Sequence, residues 1–194
     1  VKTKLGISIY AKAVILSNGT FLNALMHIGK TKIEGGRASE PASKGLTGQL
    51  ADMGFATGRM KTGTPPRLDG RTIDFDKIEE QKGDTNPATF SFLTETEPLA
   101  DQRSCYIVYS NPEVHDILRT GFEDSPLFNG TIKSIGPRYC PSIEDKVVTF
   151  ADKDKHLLFL EPEGVKTIEY YLNGFSSSLP WDVQLKALRK IKGL

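Results

Sequence analysis

The sequence is poor in cysteine, and its charges nearly balance. Only two cysteines, Cys105 and Cys140, occur in 194 residues. Two are too few for a disulfide framework, and no C-x-x-C pair predicts a zinc site. We therefore expect a reducing compartment, the cytoplasm. The formal net charge is +1, so no global field attracts nucleic acid, and any basic surface must be local.

Long apolar runs are also missing. We find no signal peptide and no stretch of about 20 apolar residues, and so expect no membrane association. The first residue is Val1 rather than methionine, which indicates an excised or processed chain that can hold only part of a site. A hydrophobic share of 38% and a charged share of 25% are typical of a soluble globular protein.

One stretch, Gly136–Lys146, concentrates groups that could do chemistry. Cys140 lies between Pro137 and Pro141, and prolines favour an irregular backbone that presents a side chain. Arg138 would favour the thiolate, which is the nucleophilic form of cysteine. A small buried cysteine in a proline-rich loop beside an ion pair explains the same residues, and the local sequence alone favours that interpretation.

The first sixty residues have an α/β pattern. An apolar run over residues 12–18 ends in small residues and Gly19, which is typical of a buried parallel strand with a ligand beside its carboxyl end. A helix is predicted from Glu40 to Met53, with Ser39 as N-cap, Gly54 at its end and an N-terminus able to bind an anion. An ordinary core strand and plain helix capping explain these patterns as well.

The rest of the chain is predicted to be richer in strands. Asp69-Gly70 predicts a hairpin turn with a return strand over 72–75. Other predicted strands cover 103–110, which carries Cys105 as a small core residue, and 167–172, and a hairpin joins 146–150 to 156–160. Helices are predicted to begin at Pro112 and at Pro180, the first with a solvent-facing His115 and the second with Ser178 as N-cap.

Four cations lie within thirteen residues: Arg59, Lys61, Arg67 and Arg71. A basic loop of this kind can contact phosphates. A solvated surface is the more common explanation of such a cluster.

Several blocks of the sequence resemble the GidA/MnmG family, flavin-dependent enzymes that modify the wobble uridine of certain transfer RNAs. They follow the family's order and span nearly the whole chain: Ala13–Gly29, Gly35–Gly48, Arg59–Asp74, Ser110–Arg119, Gly136–Gly164 and Leu172–Leu188.

The resemblance implies an α/β fold, part of an FAD-binding Rossmann-type domain interrupted by a mixed α+β insertion domain. It places residues 1–63 in the FAD-binding domain, 64–135 in the insertion and 136–194 in a return to the FAD-binding domain that carries the catalytic-cysteine loop. The family is much longer than 194 residues. The glycine-rich FAD fingerprint and the other reactive cysteine of the family are not among these residues, so we expect the isolated chain to bind FAD weakly and to be inactive.

Site residues follow from the same resemblance. Cys140 matches the catalytic cysteine, and Ser43 matches a residue of the FAD site, to which the Gly19 turn is added. The segment usually assigned to the nicotinamide dinucleotide includes Gly136, Pro137, Arg138 and Tyr139. The basic loop of Arg59, Lys61, Arg67 and Arg71 falls where the family holds transfer RNA.

The implied reaction uses FAD and NADH, with methylenetetrahydrofolate as the one-carbon donor. It adds a (carboxymethyl)aminomethyl group at C5 of the wobble uridine, position 34, together with the GTPase MnmE, and the whole protein is expected to be a homodimer. Two alternatives remain: a folate- and FAD-dependent tRNA uracil-5-methyltransferase, and a non-catalytic RNA- or partner-binding fragment.

Overall fold

The computed structural model describes residues 1–37, 39–85, 87–88, 91–92, 102–136 and 141–194. The chain divides into two compact units. The first contains residues 1–26 and 32–57, and the second contains residues 27–31 and 58–194.

The first unit has little regular structure. Strands β1 (Leu25–Ile28) and β2 (Thr31–Glu34) form a two-stranded sheet. The predicted strand over 12–18 is wrong: neither sheet of the described residues includes it, and Val14 and Ile15 are 56% and 91% exposed. A parallel strand needs neighbouring strands to pair its backbone groups and packed elements to cover its faces. In the described residues, no strand pairs with this run.

Helix α1 (Leu46–Asp52) is shorter than predicted and begins after Gly45, so Ser39 is not its N-cap. The backbone of Ser43 explains the late start. Its carbonyl accepts from the N–H of Asn23 at 2.8 Å, and its own N–H donates to Phe21 at 3.4 Å, so residue 43 is held in an extended bridge. Gly54 ends the helix as predicted, at φ 90°, with its N–H donating to the carbonyl of Ala51.

The second unit is built on a five-stranded antiparallel sheet. Its strand order is β3-β7-β6-β5-β4. The strands are β3 (Arg67–Asp69), β4 (Glu79–Gln81), β5 (Cys105–Tyr109), β6 (Leu157–Pro162) and β7 (Glu169–Asn173).

The described residues of this unit also form three α-helices: α2 (Pro112–Arg119), α3 (Ile143–Thr149) and α4 (Trp181–Leu188). The core contains buried side chains of all three helices together with Val108, Leu158, Leu160 and Leu172 of the sheet. Because side chains alternate between the faces of a strand, these four strand residues mark one face as the core face. Cys105 lies on the other face and is half-buried, so its prediction as a core residue is wrong.

Pairing across the sheet joins distant parts of the chain. Strand β3 pairs with β7, and β5 pairs with β6, so residues 64–135 and 136–194 share one sheet in this unit. The division at residue 135 stays a prediction about the domains of the whole protein.

The predicted return strand over 72–75 is wrong, because the Asp69 side chain accepts from the N–H of Arg71 and begins a 3-10 turn over Gly70–Thr72.

The termini of the other helices follow the sequence in part. Asn111 caps α2 as predicted, and its side chain accepts from the N–H of Val114 at 2.9 Å. The predicted strand over 146–150 is wrong, since those residues fall in α3 and the turn after it. Pro180, rather than Ser178, immediately precedes α4.

His115 was predicted to face solvent, and this is wrong. Its side chain is buried, and its Nε2 lies 2.8 Å from Oγ of Ser110, which also accepts from the N–H of His156. The His115 and His156 rings lie 5.1 Å apart. Burial lowers the pKa of both histidines. The positive charge of Arg119 lowers the pKa of His115 further, and the neighbouring His115 does the same for His156.

Candidate active site

The predicted nucleophile, Cys140, lies outside the described residues, as do Pro137, Arg138 and Tyr139. Their roles stay predictions. The structure does describe what precedes and follows them: Ile135 and Gly136 on one side, Pro141 and Ser142 on the other. These flanking residues are held by specific contacts.

Helix α3 begins immediately after the segment and is capped by its own residues. Oγ of Ser142 accepts from the N–H of Asp145 at 3.3 Å, and the Asp145 carboxylate accepts from the N–H and Oγ of Ser142 at 3.2 and 2.9 Å. This capping box satisfies backbone groups that would otherwise be unpaired at the helix terminus. The Ser-x-x-Asp spacing was the sequence signal that could have predicted this helix.

A buried glutamate joins the first turn of α3 to residues 176–178. Glu144 is fully buried, and its Oε1 accepts from both the N–H and Oγ of Ser178, at 2.9 and 3.0 Å. Beside it, the N–H of Ile143 donates to the carbonyl of Ser176 at 2.8 Å. The sequence analysis did not single out Glu144, because nothing in the local pattern distinguishes a buried carboxylate from an exposed one.

The residues before the segment are held by the chain around Lys61. Met60 and Ile135 form a parallel bridge, and the N–H of Lys61 donates to the carbonyl of Ile135 at 3.1 Å. The Lys61 side chain is 11% exposed, and its Nζ lies 3.2 Å from Oδ2 of Asp145. Lys61 thus contacts residues on both sides of the segment that carries Cys140.

The four cations of the predicted RNA-binding loop are in different environments. Arg67 pairs with Glu163 at 2.5 Å, and its guanidinium lies 4.5 Å from the centre of the Tyr171 ring. Arg71 pairs with Asp69 at 2.6 Å but is 74% exposed, and its hydrogen bonds lower the pKa of the Asp69 carboxyl. Arg59 is exposed. Arg59 and Arg71 are therefore the two members most accessible to a phosphate.

The predicted FAD contacts lie in the first unit. Gly19 has φ 65° with open space beside its Cα, which leaves room for a ligand against its backbone. Ser43 is exposed but lies three residues before α1 rather than at its N-terminus, so the predicted helix-terminus anion site is not formed. The role of Gly19 and Ser43 at a FAD site stays a prediction.

None of the helices in the described part of the chain has the length and apolar character needed to cross a bilayer.

The described residues combine helices with sheets, which agrees with the predicted α/β fold interrupted by a mixed α+β part, and the five-stranded sheet is antiparallel. The sequence matches the family described as "Glucose inhibited division protein A" over residues 1–194. The chain belongs to this family.

Relatives match the chain along its whole length. The "tRNA uridine 5-carboxymethylaminomethyl modification enzyme MnmG" of Christiangramia forsetii is 60% identical over 193 residues, and the protein of the same name from Flavobacterium johnsoniae is 59% identical. Each alignment covers 100% of this chain and 31% of the relative. The chain thus spans about a third of the length of these proteins.

The fold is also that of solved structures in the family. Aquifex aeolicus GidA in one crystal form is 49% identical, with a TM-score of 0.83, and a second form gives 0.81 at 45% identity. Both comparisons cover 100% of this chain, and 33% and 31% of the solved chains.

Proposed function

We propose that the whole protein containing this chain is a flavin-dependent enzyme that adds a (carboxymethyl)aminomethyl group at C5 of the wobble uridine of transfer RNA. The observation that carries the proposal is the 60% identity to an enzyme named for that modification, over 100% of the chain. Because the chain spans 31% of that relative, the activity is assigned to the whole protein and not to these residues alone.

Cys140 is the proposed nucleophile. C5 of uracil is a poor nucleophile, and addition of a thiolate at C6 forms an S–C6 bond and moves the C5–C6 electron pair into an enolate. C5 then bonds to the electrophilic methylene carbon of the folate, and an amine that carries the carboxymethyl group replaces the folate nitrogen on that carbon. Loss of the C5 proton and cleavage of the S–C6 bond restore the ring and release the thiolate. The wobble uridine must leave the anticodon stack to reach the thiol.

The cofactor and partner assignments are part of the proposal. FAD and NADH are the proposed redox cofactors of the whole protein, and methylenetetrahydrofolate is the proposed one-carbon donor. We assign Gly19 and Ser43 to the FAD site and the segment from Gly136 to Tyr139 to the nicotinamide dinucleotide. The GTPase MnmE is the proposed partner, with a homodimer as the working form in the cytoplasm.

Nucleoside analysis of transfer RNA tests this function. The whole gene, placed in a bacterium that lacks its own family member, should restore the (carboxymethyl)aminomethyl uridine, as measured by mass spectrometry of digested transfer RNA. Formation of 5-methyluridine instead would identify a uracil-5-methyltransferase. Transfer RNA that is bound but unmodified, with MnmE present, would contradict the enzymatic proposal and favour a binding role.

The exposed cations of the basic loop give a separate test. If Arg59 and Arg71 contact phosphates, reversing both to glutamate should weaken transfer RNA binding by the whole protein. The slope of log K against log salt should then flatten by about 1.5 to 2, because each lost phosphate contact removes about one released counterion. Filter binding at several salt concentrations measures both quantities.

Two exposed lysines before the start of β6, Lys153 and Lys155, provide the matched control, because they lie at the end of β6 away from β3. Reversing both makes the same change in net charge at a distance in sequence from the loop, and should leave the salt slope nearly unchanged. Equal effects of the two double variants would show that net charge, and not this loop, controls binding.

A further inference from the structure

We propose that Lys61 is a positioning residue that fixes both ends of the segment carrying Cys140, and that it does not contact transfer RNA. This inference rests on the proposed function, because it gives Lys61 a role through the nucleophile. The sequence groups Lys61 with the predicted RNA-binding cations, whereas the structure places its side chain beside Asp145.

The backbone of Lys61 holds the residues before the segment. Its N–H donates to the carbonyl of Ile135 at 3.1 Å, next to the parallel bridge between Met60 and Ile135. Gly136 packs against the same residue: a Cβ built on it would lie 3.6 Å from Cδ and 3.7 Å from the carbonyl oxygen of Lys61. The chain therefore enters the segment in direct contact with Lys61.

The side chain of Lys61 holds the residues after the segment. Its Nζ lies 3.2 Å from Oδ2 of Asp145, the oxygen that also accepts from the N–H and Oγ of Ser142. One carboxylate oxygen thus links the ammonium to the N-cap of α3. Since Ser142 follows Cys140 by two residues, the ion pair fixes the start of the helix relative to Ile135.

Burial separates Lys61 from the accessible cations. Its side chain is 11% exposed, compared with 74% for Arg71. To bind a phosphate, Lys61 would have to move its mostly buried ammonium away from Asp145, whose side chain is 31% exposed, and lose that ion pair. The environment therefore favours a structural partner over an RNA phosphate.

Helix α3 has a second attachment that does not involve Lys61. Glu144 and Ile143 bind Ser178 and Ser176, so the helix should stay docked when the ion pair is removed. The expected loss is in the placement of the segment rather than in the fold. Small misplacements of a reacting group can cost about a hundredfold in rate.

The test uses Lys61→Met in the whole protein, which keeps an apolar stem and removes the ammonium. We expect kcat for uridine modification to fall at least about tenfold, with transfer RNA affinity within about twofold and an unchanged salt slope. Lys61→Arg, which keeps the charge, should recover most of the activity. Hydrogen exchange should accelerate at Ser142 and Asp145 and stay unchanged in β6.

Asp145→Asn is the partner variant and covers the case in which Lys61→Met fails to fold. Its amide oxygen can still accept from Ser142, so α3 keeps its cap while the ion pair loses its charge. We expect the same fall in kcat, and the double variant should be no worse than either single one. An RNA-contacting Lys61 predicts the opposite for Asp145→Asn, namely tighter transfer RNA binding.

Three results would overturn the inference: weaker transfer RNA binding and a flatter salt slope in Lys61→Met with kcat unchanged, tighter binding in Asp145→Asn, or additive effects in the double variant. Failure of the proposed function is seen separately, as modification that persists in Cys140→Ser. The exchange rates at Ser142 and Asp145 report the loss of the ion pair between Lys61 and Asp145, whether or not Cys140 is the nucleophile.

Discussion

Replacing Cys140 with serine should abolish uridine modification by the whole protein. A serine hydroxyl is almost wholly protonated at neutral pH and is far less nucleophilic than a thiolate, so addition at C6 of uracil should fail. FAD content and fold should be unaffected, because the change removes one sulfur atom in favour of oxygen. Mass spectrometry of nucleosides from transfer RNA of cells carrying the variant measures the effect.

Cys105 is the internal control. It lies on the face of the sheet opposite the core, and burial together with the nearby Glu161 raises the pKa of its thiol, so less of the thiolate is present at neutral pH. Cys105→Ser should leave modification nearly normal, and a thiol reagent should label Cys140 well before Cys105 in the native protein. Normal wobble modification in the Cys140→Ser variant would show that Cys140 is not the nucleophile.

Replacing Glu144 with alanine should destabilise the chain by about 3 kcal/mol. The change removes the acceptor of two hydrogen bonds from Ser178, which leaves its N–H unpaired and its hydroxyl with only the 3.5 Å contact to Oγ of Ser125, and an unsatisfied buried group costs about 1–3 kcal/mol. The vacated volume adds a cavity within a packed region. Urea unfolding followed by circular dichroism measures the change in the free energy of unfolding.

Glu144→Gln separates the loss of the acceptor from the loss of volume. Glutamine keeps one oxygen for Ser178 and nearly the same shape, so we expect a cost of about 1 kcal/mol or less. If Glu144→Ala lowers the free energy of unfolding no more than Glu144→Gln does, the contacts to Ser178 contribute little to stability.

The elements that the sequence predicted correctly are those with strong local signals. Strand β5 follows an alternating run, and α2 follows the Asn111-Pro112 start signal. Helix α3 was missed because Val147, Val148 and Thr149 are β-branched residues that favour strands, whereas the capping box and the burial of Ile143 and Val147 one turn apart favour a helix. Tertiary packing and capping outweigh a weak intrinsic propensity here.

Contacts between residues that are far apart in the sequence could not be predicted from the sequence pattern. Asp69-Gly70 is a good hairpin signal, yet β3 pairs with a strand far along the chain instead of with residues 72–75. Likewise, the sequence places Lys61 among cations, while its partner Asp145 lies 84 residues away. No local periodicity specifies such a pair. Cys140 was found through a family resemblance, since its neighbours alone favoured a buried structural cysteine.

The strand order of the second unit has a consequence for how the protein is made. Strand β3 is synthesised before the other four strands, but its partner β7 emerges from the ribosome much later: Asp69 pairs with Glu169, one hundred residues further on. The two strands nearest to it in the sheet, β7 and β6, are the last two of the five to be translated. Strands β3 and β5 therefore lack these partners, with apolar side chains exposed, until residues 157–173 have been translated, which is the situation in which nascent chains depend on chaperones.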